Sequence, residues 1–128
     1  EIEVRNISPE IIRQKMEHWF QSRAKEILPL SLEEMSKHLK WVKKIPQLSI
    51  RRMCRQWGSC SPNGRIALNV ALVRVPTECA NYVVLHELIH LKEHNHGPAF
   101  YRMLNRHLPN WKLVKKRLDT FADLALST

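Results

Sequence analysis

His86-Glu87-Leu88-Ile89-His90 places two imidazoles four residues apart with a carboxylate directly after the first. On an α-helix, residues four apart share a face. Both histidines can then reach one metal ion, with Glu87 close enough to handle a water on it. The chemistry this suits is zinc-assisted hydrolysis. A single histidine on an apolar helix is more simply a core residue bonded to a carbonyl, but two with a glutamate at this spacing favour the metal. A hydrolytic zinc site also needs a third protein ligand and an open position.

His94 and His96 are the candidates for that third ligand. His94 continues the four-residue stripe, but at ~1.5 Å per residue it stands roughly 12 Å along the axis from His86. Metal–nitrogen bonds of ~2.0–2.1 Å cannot easily span that with His90 in between. His96 follows Asn95, which tolerates left-handed backbone, and precedes Gly97-Pro98, which ends a helix. The chain can turn there and return His96 to the metal. The expected set is His86, His90 and His96, with His94 left as a cation at the helix's negative end. Cys60 is a further candidate, but three histidines complete a catalytic set, and a buried thiol is the simpler reading.

The helix that must carry this stripe is expected over residues 76–93. Pro76 and Glu78 suit its first turn, and Val83, Val84, Leu85, Leu88, Ile89 and Leu91 leave almost no polar face, so it should be central in the domain. Ser8-Pro9-Glu10 opens an earlier helix to about Leu28. Ser31-Leu32-Glu33-Glu34 has the form of a capping box and predicts a second helix ending before Pro46. Residues 47–54 and 65–70 read as strands joined through a bend at Gly58 and a turn at Ser61-Pro62-Asn63-Gly64, giving a small antiparallel sheet. Pro98 begins a helix to about His107, and a last one is expected from Trp111 to about Leu126. There are no internal repeats.

Four ordered motifs extend the pattern. Arg55-Gln56-Trp57-Gly58-Ser59-Cys60, Gly64-Arg65-Ile66-Ala67-Leu68-Asn69, Tyr82-Val83-Val84-Leu85-His86-Glu87-Leu88-Ile89-His90 and Asn95-His96-Gly97-Pro98-Ala99-Phe100 together resemble the YgjP-like metallopeptidase family, which is related to the SprT and WLM proteases. The likeness covers roughly residues 50–111. Gln56 stands where the family more often has arginine. The resemblance implies an α+β, gluzincin-like metallopeptidase domain with a small antiparallel sheet packed on the HExxH helix and several flanking helices. It also implies His96 as third ligand, and strands ahead of the first helix. Since the chain starts at Glu1 without methionine, residues 1–128 are read as a single domain lacking those strands. The metzincin pattern fits less well, because it needs glycine where Glu93 stands and a methionine turn that only Met103, inside an expected helix, could supply.

Zinc is therefore the expected cofactor and peptide or protein the expected substrate, with Glu87 as general base toward a zinc-activated water. By likeness to zinc peptidases of this build, an edge strand, either the stretch near Trp57, Gly58 and Ser59 with Arg55 at the cleft rim or the strand from Arg65 to Asn69, pairs with an extended substrate. Trp57 is read mainly as a packing residue. Tyr101 and His107 rank ahead of Tyr82 and Arg102 as stabilisers of the transition state.

The composition is compatible. The 128 residues are 44% hydrophobic, enough for one real core, and no apolar run approaches the ~20 residues of a membrane span. Three cysteines without a C-x-x-C pair argue for a reducing compartment, so a cytoplasmic monomer away from membranes is expected. A formal charge of +9 can recruit anionic partners. Lys37, Lys40, Lys43 and Lys44 form one basic group; Lys112, Lys115, Lys116 and Arg117 form another. Arg51, Arg52 and Arg55 precede Trp57 and are expected near the cleft, where they could favour acidic peptides, nucleic-acid-bound proteins or phosphates. SprT-type relatives act on proteins stuck to DNA, so DNA-associated proteins or nucleic acid are partners the resemblance implies.

Two other functions use the same residues. A zinc-dependent phosphohydrolase acting on nucleotides would turn the same water on phosphorus, with the arginines holding phosphates, though no P-loop is present. In a non-catalytic zinc-braced module binding nucleic acid or protein, Glu87 would have no task.

Overall fold

The computed structural model of the chain describes residues 8–123. Helix α1 (Pro9–Lys37) opens on Ser8, whose hydroxyl accepts the Ile11 amide at 3.2 Å, with proline in the first turn where its missing amide costs nothing. The sequence predicts a break near Pro29 and a new helix from Ser31, but α1 runs through both as one 29-residue helix. Proline inside a helix costs about 3 kcal/mol. On either side of it, however, Ala24, Leu28, Leu32 and Ser36 repeat every fourth residue and form one buried ridge. Burying a leucine is worth about 1.5–3 kcal/mol, so Leu28 and Leu32 together outweigh the lost bond.

Strands β1 (Leu48–Arg51), β2 (Gly58–Cys60) and β3 (Ile66–Asn69) form a sheet in the order β1-β3-β2. The expected α+β class holds, but the sheet is mixed, not antiparallel. β2 pairs antiparallel with β3, while β1 lies on the other side of β3 and runs parallel to it. The turn at residues 61–64, with Gly64 at φ +85°, joins β2 rather than β1 to β3. β1 meanwhile must end early, because Asn69 holds the crossover between β1 and β2. Its Nδ2 donates to the carbonyls of Met53 (2.8 Å) and Gln56 (3.0 Å), and its Oδ1 accepts the Ala71 amide (3.0 Å). That last bond caps a short 3₁₀ helix, Val70–Arg74.

Helix α2 (Thr77–Ile89) is the central element, as its composition predicts; Val83, Val84, Leu85, Leu88 and Ile89 are all buried. It closes on His90, before the expected Glu93, through turn bonds from the Leu91, Lys92 and Glu93 amides to the Leu88 and Ile89 carbonyls. The Trp41 indole donates to the Leu88 carbonyl at 2.9 Å and fastens the chain after α1 to this end of α2. Helix α3 spans Pro98–His107 as expected, and α4 spans Trp111–Asp119. The expected end of the last helix at Leu126 lies outside the described residues. An Arg117–Glu78 ion pair ties α4 to the start of α2. Among the described residues no helix is long and apolar enough to cross a membrane.

Candidate metal centre

Three imidazoles converge at the C-terminal end of α2. His86 Nε2 lies 3.0 Å, and His90 Nε2 2.8 Å, from Nε2 of His96. The first two come from one face of α2, and the third returns on the 91–97 connection before Pro98 starts α3. Among the described residues this is the only group of three or more potential metal-ligating side chains gathered so closely. His94 lines the same cleft without joining the cluster.

The donors fit zinc. Three imidazole nitrogens with a side open to the cleft are a catalytic zinc set, in which ligands at ~2.0–2.1 Å from a tetrahedral ion sit roughly 3.3 Å apart. His90 Nδ1 lies 3.0 Å from the Glu93 carbonyl. Donating there fixes the tautomer that leaves Nε2 free for a metal. Burial first, then the neighbouring His90 and His96 and the Lys115 ammonium, lower the His86 pKa to about 4, which keeps that imidazole unprotonated. His90 is lowered too, chiefly by burial.

Phe100, 1% exposed, packs against all three rings, with centroids 4.9, 4.8 and 4.7 Å from His86, His90 and His96. It forms the apolar backing of the cluster. Residue type and spacing alone mark Phe100 only as a core position.

The cluster opens into a cleft of about 630 Å³. Gln56 to Cys60 form one wall, α2 the floor, and Lys115, Leu118 and Asp119 of α4 the opposite wall. Glu87 lies in this floor, 7% exposed, and burial lifts its carboxyl to about 7. Cys60 lines the cleft half-buried, its thiol raised by burial and then by Glu87.

The residues expected near the site separate into two groups. Trp57, Gly58 and Ser59 line the cleft, whereas Arg55 is exposed and does not. Arg51 and Arg52 line other surfaces, so the arginine cluster is not at the cleft, and among the described residues the cleft's only Lys or Arg is Lys115. Asn69 pins the backbone at both ends of this segment through the Met53 and Gln56 carbonyls, and of residues 51–56 only Gln56 reaches the cleft. Tyr101 stacks on Trp111, its ring 6.4 Å from that of His96. His107 lies edge-on to Trp41 in a different groove. Tyr82, one turn before His86, does line the cleft; its ring sits 5.9 Å from His86, and burial, followed by Tyr101, Asp119 and Glu87, raises its hydroxyl to about 12.

The family described as YgjP-like, metallopeptidase domain, matches residues 1–121. No curated protein matches the chain. Among solved structures, the crystal structure of the metallopeptidase zymogen of Pyrococcus abyssi abylysin is similar, with a TM-score of 0.63 and 26% identity over 70% of this chain and 90% of that one.

Proposed function

The chain belongs to the YgjP-like metallopeptidase family, and we propose on that footing that it hydrolyses peptide bonds with zinc held by His86, His90 and His96 and with Glu87 as general base. The observation that carries this is the convergence of three imidazole nitrogens beside a buried glutamate at the floor of an open cleft.

A bound zinc would supply Lewis-acid activation of a water and of the scissile carbonyl. The rest falls to the chain. With its carboxyl lifted to about 7, Glu87 can take a proton from the attacking water near neutral pH and pass it to the leaving nitrogen. The Tyr82 hydroxyl, kept protonated, is the donor best placed by its position in the cleft to meet charge developing on the carbonyl oxygen.

Strand β2 is the substrate ledge in this reading. The Trp57 carbonyl accepts the Asn69 amide at 2.9 Å, and the Ser61 amide donates to the Arg65 carbonyl at 2.8 Å. In an antiparallel ladder alternate residues pair, so with Ser59 opposite Ala67 the main-chain groups of Gly58 and Cys60 point off the sheet. They are free to bind an extended peptide without demanding particular side chains.

The phosphohydrolase alternative needs arginines around the metal, and among the described residues Lys115 is the cleft's sole Lys or Arg. The test is zinc content and hydrolysis of a denatured protein by wild type, Glu87→Gln and His96→Ala. Glu87→Gln should keep zinc and lose turnover by roughly 10²–10⁴-fold; His96→Ala should lose zinc. Unchanged zinc in His96→Ala would overturn the ligand set, and nucleotide hydrolysis without protein hydrolysis would overturn the peptidase assignment.

A further inference from the structure

Two adjoining grooves of about 560 and 420 Å³ lie where the C-terminal ends of α1, α2 and α3 come together, sharing Lys92, Met103 and Arg106. Lys40 and Lys43 follow α1, Lys92 follows α2, and Arg102 and Arg106 stand on α3 one turn apart. All five cations are exposed, and Glu93 is the sole carboxylate in the lining. Among the described residues none of the five is in an ion pair, although pairs form elsewhere on the surface, on α1 and α4.

The ordinary reason for cations here would be the helix dipoles. Each helix C-terminus carries about −0.5 of a charge, so three offset roughly −1.5. Five cations exceed that even after Glu93 is added, and Arg102, in the first half of its helix, is not at a C-terminus at all. Such a surplus held in a concave surface is an anion site.

We propose that this groove binds the phosphodiester backbone of nucleic acid. Five unpaired cations call for a densely charged partner, and a nucleic-acid strand carries one charge per ~3.4 Å, more than ordinary acidic polypeptides. Arg102 and Arg106 offer the forked geometry that suits phosphate oxygens. The groove contains no asparagine or glutamine to read base edges, and Trp41 is held by its bond to the Leu88 carbonyl and by the edge of His107. With Arg102 and Arg106 committed to phosphate oxygens, which carry no sequence information, affinity should vary little with sequence. The site is separate from the metal cleft and requires no turnover.

The test is fluorescence anisotropy of Glu87→Gln protein with a labelled oligothymidylate and a labelled mixed-sequence duplex across a salt series. Five phosphate contacts should weaken binding about 10²-fold or more between 50 and 200 mM salt, with a log–log slope near −3.5 for the single strand. The triple variant Lys40→Gln/Arg102→Gln/Arg106→Gln should flatten that slope by about 2. Lys15→Gln/Lys25→Gln/Lys116→Gln, which removes equal charge outside the groove, should leave it nearly unchanged, with thermal melts confirming that both fold. Equal losses in the two triples would overturn the groove in favour of net charge alone. Polyglutamate competing as well as the oligonucleotide would overturn nucleic acid as the ligand.

Discussion

The backbone of Gly58 rests directly on the side chain of Glu87. A Cβ at position 58 would stand 3.2 Å from Glu87 Cγ, 3.1 Å from Val83 Cγ1 and 3.2 Å from the Ala67 carbonyl oxygen. The proposed substrate ledge and the proposed base thus pack closely because residue 58 has no side chain. Gly58→Ala should cost about 1–3 kcal/mol from overpacking, since the Ala67 carbonyl is fixed in the ladder and β2 must lift instead. Urea denaturation should show the loss, and kcat/KM for a peptide should fall while zinc content stays at wild-type level. Wild-type stability and activity in Gly58→Ala would mean that the contact is not needed.

Tyr82→Phe tests the assignment of the oxyanion donor. Removing one such donor costs about 10²–10³ in kcat, and zinc should stay bound because His86, His90 and His96 are untouched. Tyr101→Phe and His107→Gln should fall much less, as Tyr101 stacks on Trp111 and His107 on the edge of Trp41. A larger loss in either than in Tyr82→Phe would return the role to that residue.

Metal-free protein should show opposed pH dependences. Glu87, raised from 4.5 to about 7, contributes stability below pH 4.5 that is lost as pH rises through about 7. His86, lowered from 6.5 to about 4, contributes stability above pH 6.5 that is lost as pH falls through about 4, and His90 acts in the same direction. The two largely cancel between pH 4.5 and 6.5. Glu87→Gln removes one side, so its metal-free stability should climb with pH from about 4 to 6.5 and exceed wild type by about 2–3 kcal/mol at pH 8. Chemical denaturation after chelation at pH 4.5, 6.5 and 8 reads this directly; parallel curves for the two proteins would contradict it.

Asn69, 1% exposed, is the joint of the sheet. Asn69→Ala strands the Met53 and Gln56 carbonyls and the Ala71 amide, at a cost of about 2–4 kcal/mol. Asn69→Asp should be worse, because it keeps the acceptor for Ala71 but faces a carboxylate toward two carbonyls. Thermal melts should place wild type first, then Asn69→Ala, then Asn69→Asp.

Elements whose cause is local are legible along the chain. The four-residue spacing of His86 and His90, the buried composition around them, and the Asn95 to Pro98 turn that returns His96 all act within a few residues, and so does the proline that starts α3. What lay beyond the sequence depends on partners distant in the chain. Only tertiary packing carries α1 through Pro29, because the burial that compensates comes from elements up to 60 residues away. The parallel pairing of β1 with β3, the Asn69 bonds that fasten the crossover after β1, and the placement of Arg51 and Arg52 in other grooves all join residues far apart in sequence. That Tyr82 lines the metal cleft while His107 lies in another groove has the same origin, since which helix face meets the cleft is decided by what packs on the other. The five groove cations belong to three separate segments, and no spacing in a linear chain shows that three helix ends will meet.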